Sequence, residues 1–436
     1  MAAIRGLFYG YSIMATDVDV QYFSHLNGLT LGNNWGDLIR LLDTCLVNGL
    51  PLTSITSASI DAQGDITLNL YAAHNCMLFQ IVELVGFAPS ELNGKYRIKG
   101  TPSATQLILK ATHVGKSITT TGTAKLASLG YEIIFRDVND VKRVYRAKNP
   151  TAQHPFIRVD ETISDGVNNY TSTYAKSAMV GLLENMTHID DYQNPNILQL
   201  PFDPSDPAKN WKITGTGTAV VRGWSRWHWA RGGTSSAQSN VTDSATIASA
   251  NRNFTLVGNV DAFWFIRSIV PTQASVDSKL ISGCGLYDSA LLTNNIPNWF
   301  LSGAITLGAA SATNLTLSDA GLIGANATAA YAAVACSKFN EIAPLSSHIL
   351  ANLIMPSVGS GRSGDYVASS VAALQIPIYD TDKFLRGSLK HIFYSGNIAT
   401  VFETTPILAN NSMYIYDSAS VGGGVGGYYF YIGELE

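Results

Sequence analysis

The densest group of chemically capable side chains in this sequence is an aromatic and basic cluster. It reads Trp224-Ser-Arg226-Trp227-His228-Trp229-Ala-Arg231. Trp rings can stack on sugars, and Trp and Arg side chains also anchor subunit interfaces. On a strand, Trp227 and Trp229 share one face, and Arg226 lies on the other. The pattern favours packing or a subunit interface, with ligand binding and catalysis as alternatives. Trp224, Arg226, Trp227, Trp229 and Arg231 are the predicted interface or ligand surface.

A second motif has the spacing of a dinucleotide-binding loop. Gly359-Ser-Gly361-Arg-Ser-Gly364 fits GxGxxG. A dinucleotide site needs this loop between a strand and a helix of a βαβ unit, whereas the surrounding chain has the texture of β-strands. We therefore interpret the motif as a solvated Gly/Ser loop.

Metal-ligating and nucleophilic residues occur without the spacing that their chemistry requires. The eight histidines are scattered, and none forms HExxH. His188-Ile-Asp190-Asp191 matches no calcium loop and is interpreted as a loop or helix-end cluster. Neither a GxSxG elbow nor a P-loop is present. The sequence therefore predicts no catalytic residue, no cofactor and no metal.

The four cysteines are widely separated along the chain. They are Cys45, Cys76, Cys284 and Cys336, with no CxxC spacing. Such spacing indicates neither a zinc site nor a disulfide framework. We expect buried free thiols, formed in a reducing cytoplasm.

One helix is predicted near the N-terminus. Its apolar residues recur every three or four positions, namely Trp35, Leu38, Ile39, Leu42, Cys45 and Leu46. Asn34 is the expected N-cap, and Asp37 places a carboxylate in the first turn. Asn48, Gly49 and Pro51 end the helix. Its apolar stripe predicts packing against a sheet.

The next segment is predicted to be a small β module. Its six strands are expected at Ile55–Ile60, Ile66–Tyr71, Leu78–Val85, Lys95–Ile98, Gln106–Lys110 and Gly122–Leu126. Turn residues such as Gln63-Gly64-Asp65 and Asn93-Gly94 separate them. Six short strands in so few residues suit a small closed barrel, inserted at residues 53–127.

The remaining chain is predicted to be β-rich, with one more helix at Tyr174–Met186. Strands are expected at Tyr131–Phe135, Arg143–Ala147, Phe156–Val159, Ala219–Trp227, Phe254–Val257, Ala262–Ile266, Leu389–Tyr394, Met413–Tyr416 and Tyr428–Ile432. Val421–Gly427 is interpreted as a glycine-rich hairpin or loop. Prolines between Pro201 and Pro207 mark an irregular connection.

These elements predict a mainly β, multi-domain fold of β-sandwich or barrel domains with a few helices. Residues 1–52 and 128–203 form an N-terminal α+β body. Residues 53–127 form the inserted small β-barrel, and residues 208–436 form a larger C-terminal β-rich domain.

Composition narrows the functional classes. Charged residues are 14% of the 436 residues, against roughly 25% in typical soluble domains. The net charge of -4 argues against specific nucleic-acid binding, which needs a basic face. Hydrophobic residues are 46% of the chain, so most of it can fold around a core. No apolar run reaches the roughly 18 residues of a membrane span, and Met1–Met14 lacks the apolar region of a secretory signal.

The first 200 residues resemble a group of tailed-bacteriophage virion proteins associated with the tail or baseplate. The resemblance lies in the helix Leu38–Gly49, in Gly64-Asp-Ile-Thr-Leu, Ala73-His74, Leu92–Ile98 and Thr121–Ala127 of the module, and in the return through Gly130–Phe135 and Ile157–Asp160. One departure is Asn75-Cys76 after His74, where a Gly-containing turn is commoner.

The resemblance implies a role in the particle without a catalytic site. We expect a non-enzymatic structural component of the tail, baseplate, neck or collar, located in the virion and made in the host bacterial cytoplasm. Its partners would be other virion proteins and copies of itself in a cyclic homo-oligomer. Two alternatives stay open: a host-receptor or glycan-binding module that contacts the host cell surface, and a cell-surface depolymerase, which would need two carboxylates at catalytic separation.

Overall fold

The computed structural model describes residues 17–232, 243–271, 279–291, 297–306, 315–317, 333–337, 348–353, 374–380, 384–394, 403–421 and 424–436. Within these residues the fold is mainly β, with several sheets and one short α-helix, which confirms the predicted mainly β, multi-domain fold class. The motif Gly359–Gly364 lies outside the described residues.

The predicted N-terminal helix is confirmed, but its cap is not the predicted one. Helix α1 (Asp37–Leu42) continues as a π-helical turn over Asp43–Asn48 and ends at Gly49, whose φ is 73°. Gly36 is the N-cap residue, so the prediction of Asn34 was wrong. Because glycine has no side chain to accept the free helix N–H groups, Glu161 accepts from the Gly36 and Ile39 amides instead. Short 3-10 helices lie at His25–Asn27, Ser90–Leu92, Asp191–Gln193, Lys209–Trp211 and Gly217–Ala219.

All six predicted strands of the module are present. The first eight strands of the chain are β1 (Gln21–Ser24), β2 (Leu50–Pro51), β3 (Ile55–Ile60), β4 (Ile66–Leu70), β5 (Ile81–Val85), β6 (Gly94–Ser103), β7 (Gln106–Lys110) and β8 (Thr123–Leu126). The module sheet has the order β2-β8-β5-β6-β7-β4-β3. This order ends at β2 and β3 and does not by itself show a closed barrel, so the inserted barrel stays a prediction.

The turn after His74 shows how the sequence departure is accommodated. Asn75 has a φ of 50°, a left-handed conformation that asparagine tolerates better than most residues with a side chain. Asn75 therefore adopts a backbone conformation that glycine commonly provides.

The remaining strands belong mostly to two further sheets. The strands of the middle segment are β9 (Tyr131–Arg136), β10 (Lys142–Ala147), β11 (Phe156–Asp160), β12 (Lys176–Leu183), β13 (Gln199–Leu200), β14 (Ile213–Thr214), β15 (Val221–Arg222) and β16 (Ser225–Ala230). Those of the last segment are β17 (Phe254–Gly258), β18 (Ala262–Ser268), β19 (Lys279–Leu286), β20 (Asp288–Ser289), β21 (Trp299–Ser302), β22 (Ala304–Thr306), β23 (Leu315–Leu317), β24 (Ala333–Ser337), β25 (His348–Leu353), β26 (Leu374–Tyr379), β27 (Leu385–Tyr394), β28 (Thr405–Ala409), β29 (Ser412–Val421) and β30 (Gly424–Glu434).

Antiparallel pairing organises these strands. An eight-stranded sheet has the order β23-β22-β16-β12-β11-β10-β9, with β13 added to β12. A 13-stranded sheet has the order β1-β17-β18-β19-β21-β24-β25-β26-β27-β30-β29-β28, with β20 added to β27. Strands β29 and β30 pair up to Val421 and Gly424, which agrees with a hairpin, but Gly424–Gly427 lie inside the last strand and not before it.

The helix predicted at Tyr174–Met186 was wrong, because this segment contains strand β12. Strand β12 lies between β11 and β16, and all eight of its residues are buried. A strand covered on both faces carries apolar residues on both, so its sequence loses the alternation of a half-exposed strand. The resulting apolar run imitates the spacing of a helix.

One apolar core connects the parts that the sequence separates into domains. It contains Leu42 of α1, Leu84 of the module, Trp227 of β16 and Phe263 of β18. A second cluster lies within the large sheet and includes Trp264 and Phe300, whose rings stack with centroids 4.9 Å apart. The three domain boundaries stay a prediction, and the predicted domains share one core.

Candidate functional site

The aromatic and basic cluster lies on strand β16, inside the fold. Trp227 and Trp229 are both 0% exposed. The Trp227 indole donates to the Ser302 carbonyl at 3.0 Å and meets the edge of Phe263. The Trp229 ring makes an edge contact with Trp35 at 5.8 Å. Neither indole is available to a ligand in this fold, and packing accounts for both.

The opposite face of β16 forms a buried ion cluster around Asp243. Arg226 Nη1 lies 2.7 Å from one carboxylate oxygen, while His228 Nε2 and Arg231 Nε lie 3.4 and 3.7 Å from the other. Burial alone raises the pKa of Asp243, but the three basic side chains outweigh it and lower the pKa. Burial lowers the pKa of His228 to about 4, so this imidazole is neutral at pH 7. The cluster holds β16 to the following segment.

Trp224 is the one predicted surface residue that keeps part of its side chain exposed. The Lys209 ammonium lies 4.2 Å from its ring centroid. The structure therefore places Trp227, Trp229, Arg226 and Arg231 in the interior and leaves Trp224 at the surface. The five residues form no continuous ligand surface.

A different concave site lies beside β10, β11 and β12, with a volume of about 430 Å³. We call it the Tyr192 cleft. Its polar and aromatic lining residues are Asp137, Asn139, Lys142, Asp160, Thr162, Ser164, Asp165, Asp190, Tyr192 and Trp211, and its apolar ones are Val138, Val141, Met179, Ile189 and Ile213. The hairpin β9–β10, the segment after β11 and the 3-10 helices at residues 191–193 and 209–211 bring these side chains together.

The guanidinium group of Arg158 organises this cleft. Arg158 is 0% exposed and lies over the rings of Tyr192 and Trp211, at 4.6 and 4.3 Å from their centroids. The same guanidinium contacts Asp160 at 2.9 Å and Asp190 at 3.3 Å. Because one buried cation fixes two rings and two carboxylates, the cleft is preorganised.

The carboxylates of the Tyr192 cleft are suited to accepting hydrogen bonds. Burial raises the pKa of Asp160, but Arg158 and Thr162 outweigh burial and lower it. Hydrogen bonds from the Asn168 and Val167 amides lower the pKa of Asp165. Both groups are ionised at neutral pH, so neither is a proton donor of the kind that glycoside hydrolysis needs. Ionised acceptors beside the half-exposed Tyr192 side chain suit a polyhydroxyl ligand.

Sequence reasoning did not find this cleft. It singled out Asp190 and Asp191 as neighbouring carboxylates, but the structure directs them to different partners. Asp190 contacts Arg158, whereas Asp191 accepts from the Thr187 and His188 amides and closes a turn. This turn agrees with the loop interpretation of His188–Asp191. The cleft residues span positions 137–213, and no local spacing connects them.

The described part of the chain also bears on metal binding, membrane spans and the state of the cysteines. No group of three or more His, Cys, Asp or Glu side chains there is arranged to hold a metal ion. No helix among these residues is long and apolar enough to cross a membrane. Cys45, Cys76, Cys284 and Cys336 are buried free thiols, as predicted.

No protein-family model matches the chain, and no curated protein matches it significantly.

Proposed function

We propose that this chain is a non-enzymatic structural component of a tailed-bacteriophage virion, in the tail and baseplate or in the neck and collar. It acts through oligomerisation and docking surfaces, and its partners are copies of itself and other virion proteins. The proposal rests on the sequence resemblance and on one observation, the scarcity of charged residues in a chain that also buries most of its arginines.

Most arginine side chains lie inside the fold. The sequence contains fourteen arginines, and nine of them are at most 1% exposed: Arg97, Arg143, Arg158, Arg222, Arg226, Arg231, Arg252, Arg267 and Arg386. A chain with only 14% charged residues thus places much of its positive charge in the interior. The surface formed by the described residues has correspondingly few guanidinium groups.

The scarcity of charge supports a protein whose surface is covered by neighbours. The centres of protein interfaces are depleted in Lys, Glu and Asp, whereas Arg is enriched there, so the support comes from the low overall charge of the chain. Large exposed apolar side chains occur at several places along the described chain, for example Tyr71 at 78%, Val138 at 99% and Val167 at 85% exposure, and the neighbours Phe384 and Leu385 are both exposed. A surface poor in charge that carries such side chains suits contacts with neighbouring subunits.

Purified particles test the proposal directly. Particles from the phage or prophage that carries this gene would be analysed by quantitative mass spectrometry, with a non-virion protein of the same phage as the control. We expect the chain at a fixed copy number and locate it by imaging of the intact particle. A stable monomer that is absent from purified particles contradicts the proposal.

A second candidate function is glycan binding at the Tyr192 cleft, favoured by its preorganised rings and carboxylates. The test is binding of the intact protein to host surface glycans, with Tyr192→Ala compared with Tyr71→Ala, an exposed tyrosine of the module. Loss of binding in Tyr192→Ala alone supports the cleft. Equal binding by both variants and the wild type excludes it. Hydrolysis of host capsule by the purified protein would contradict the non-enzymatic assignment.

A further inference from the structure

Lys279 and Asp417 form an ion pair in the interior, between two strands of the large sheet. Lys279 begins β19, and Asp417 lies within β29, 138 residues further along the chain. The Lys279 ammonium contacts the Oδ1 atom of the Asp417 carboxylate directly. The two side chains are only 2% and 1% exposed, so water has almost no access to either group. A nucleophilic nitrogen and a carboxyl carbon are therefore held together in a dry site.

Other lysine–carboxylate pairs of the described chain keep contact with water. Lys390 Nζ lies 2.6 Å from Asp261, and these side chains are 21% and 28% exposed. Lys99 Nζ lies 2.7 Å from Asp65, and the lysine is 45% exposed. Burial of an ion pair costs the hydration of both groups, and this cost disappears when the pair becomes neutral. A reaction that removes both charges therefore favours the buried pair of β19 and β29 over these two.

Hydrogen-bond donors hold the Asp417 carboxyl group on both of its oxygen atoms. The Thr255 hydroxyl donates to Oδ2 at 2.6 Å, and the Ser418 amide donates to Oδ1 at 2.7 Å. Donors in these positions stabilise the negative charge that develops on oxygen when an amine adds to a carboxyl carbon. The Ser418 amide is thus placed to stabilise this charge, and the Thr255 hydroxyl is placed to give a proton to the departing oxygen.

A chain of hydroxyl groups connects Asp417 to a half-buried histidine. Thr255 Oγ1 lies 2.6 Å from Thr404 Oγ1, and the Thr404 hydroxyl donates to Ser24 Oγ at 2.7 Å. Ser24 Oγ lies 3.4 Å from Nδ1 of His25. Three hydroxyl groups thus span four contacts, and a hydrogen bond at each contact needs a fourth hydrogen, which either Asp417 or His25 can supply. The chain can therefore carry a proton between its two ends.

We propose that Lys279 and Asp417 react with each other to form an intramolecular isopeptide bond. The Lys279 nitrogen gives up a proton and attacks the Cγ atom of Asp417. The new C–N bond forms, and the bond between Cγ and Oδ2 breaks. Of the three ammonium hydrogens, one stays on the amide nitrogen and two leave with Oδ2 as water, passed on through the Thr255 hydroxyl or directly. The reaction consumes no oxidant, reductant or cofactor.

The isopeptide bond joins two strands that are not neighbours in the large sheet. Strand β19 pairs with β18 and β21, whereas β29 pairs with β30 and β28. A covalent link between them closes a long loop and restricts the unfolded chain, as a disulfide does. The four cysteines are free thiols, so this link reinforces the sheet without depending on redox conditions. The inference goes beyond the proposed virion role and does not depend on it.

Intact-mass spectrometry of the denatured full-length chain tests the bond without any variant. The wild type should weigh about 18 Da less than its sequence, the mass of one water. Trypsin does not cleave after an acylated lysine, so digestion should give a branched peptide that joins Lys279 to Asp417. A full sequence mass overturns the proposal. A water loss that maps to Asp165-Gly166, where an aspartate can cyclise onto the next amide, also overturns it.

Variants test the site and the assigned role of Thr255. Lys279→Arg keeps a positive charge but has no amine to acylate, so it should show no water loss, whereas Lys390→Met should lose one water like the wild type. Thr255→Val should accumulate unlinked chain after synthesis, and Thr255→Ser should restore linking. A water loss in Lys279→Arg contradicts the site, and linking of Thr255→Val at the wild-type rate contradicts the role of the hydroxyl. These masses are read on the isolated chain, so presence in or absence from particles is a separate result.

Discussion

Replacement of Arg97 by Met should strongly destabilise the protein, because this guanidinium connects three distant parts of the chain. Arg97 lies on β6 and is 0% exposed. It donates to the carbonyls of Asp17 and Val20 just before β1, of Phe79 before β5, and of Ile432 in β30, at 2.5–2.9 Å. Methionine fills much of the volume but donates nothing.

The size of the destabilisation follows from the backbone carbonyls that lose their hydrogen-bond donor. Three of the hydrogen bonds, those to Val20, Phe79 and Ile432, are buried, and a buried acceptor without a partner costs about 1–3 kcal/mol. Part of this loss is offset, because burial lowers the pKa of Arg97 to about 10 and removing a disfavoured charge recovers about 3 kcal/mol at most. Three acceptors at about 2 kcal/mol each, less the about 3 kcal/mol recovered, leave a net loss of about 3 kcal/mol in the free energy of unfolding.

Chemical denaturation and hydrogen exchange measure this effect. Arg97→Met should lower the denaturation midpoint and speed amide exchange at both β1 and β30, since both depend on the same side chain. The control is Arg40→Met, whose guanidinium is exposed and paired with Asp37; it should change stability by less than about 1 kcal/mol. A stability of Arg97→Met within about 1 kcal/mol of the wild type, or exchange that increases in β6 alone, would refute the reasoning.

Three further predictions concern packing, pH and thiol reactivity. Trp227→Ala should lose about 3–5 kcal/mol in unfolding experiments, because it removes a fully buried indole, whereas Trp224→Ala at the surface should lose clearly less; equal losses would contradict the burial of β16. Burial raises the pKa of Glu161 to about 7 against the opposing Gly36 and Ile39 amides, so the folded chain binds this proton more tightly than the unfolded chain. The resulting stability is complete below pH 4.5 and is lost as the pH rises through 7. From pH 5 to 8 the wild type should therefore lose up to about 3 kcal/mol relative to Glu161→Gln, and parallel pH profiles of the two proteins would exclude this. The four thiols should not react with a thiol reagent in the native state, since all are buried and burial raises the pKa of Cys76 and Cys336 to about 12; rapid labelling without denaturant would show otherwise.

Local sequence was sufficient to predict a helix or strand where one face of the element is covered and turn residues mark its ends. The module strands Ile55–Ile60 and Gln106–Lys110 have the predicted bounds, because alternation and turns such as Gln63-Gly64-Asp65 are local signals. The helix through Leu38 and Leu42 was predictable for the same reason. The alternation on β16 also predicted which face carries Trp227 and Trp229 and which carries Arg226.

Tertiary structure decided the properties that depend on distant neighbours. Strand β12 escaped prediction because β11 and β16 cover both of its edges and its two faces are buried. The cap on α1 comes from Glu161, far along the chain. The Tyr192 cleft exists because Arg158 draws together rings and carboxylates from separate elements. The sequence by itself determined the mainly β character, the strand faces and the scarcity of charge, because these depend on residue type and on spacing between near neighbours. Only the tertiary structure determined which charged side chains are buried. Burial of the arginines requires hydrogen-bond acceptors from distant parts of the chain, which come together only in the folded protein.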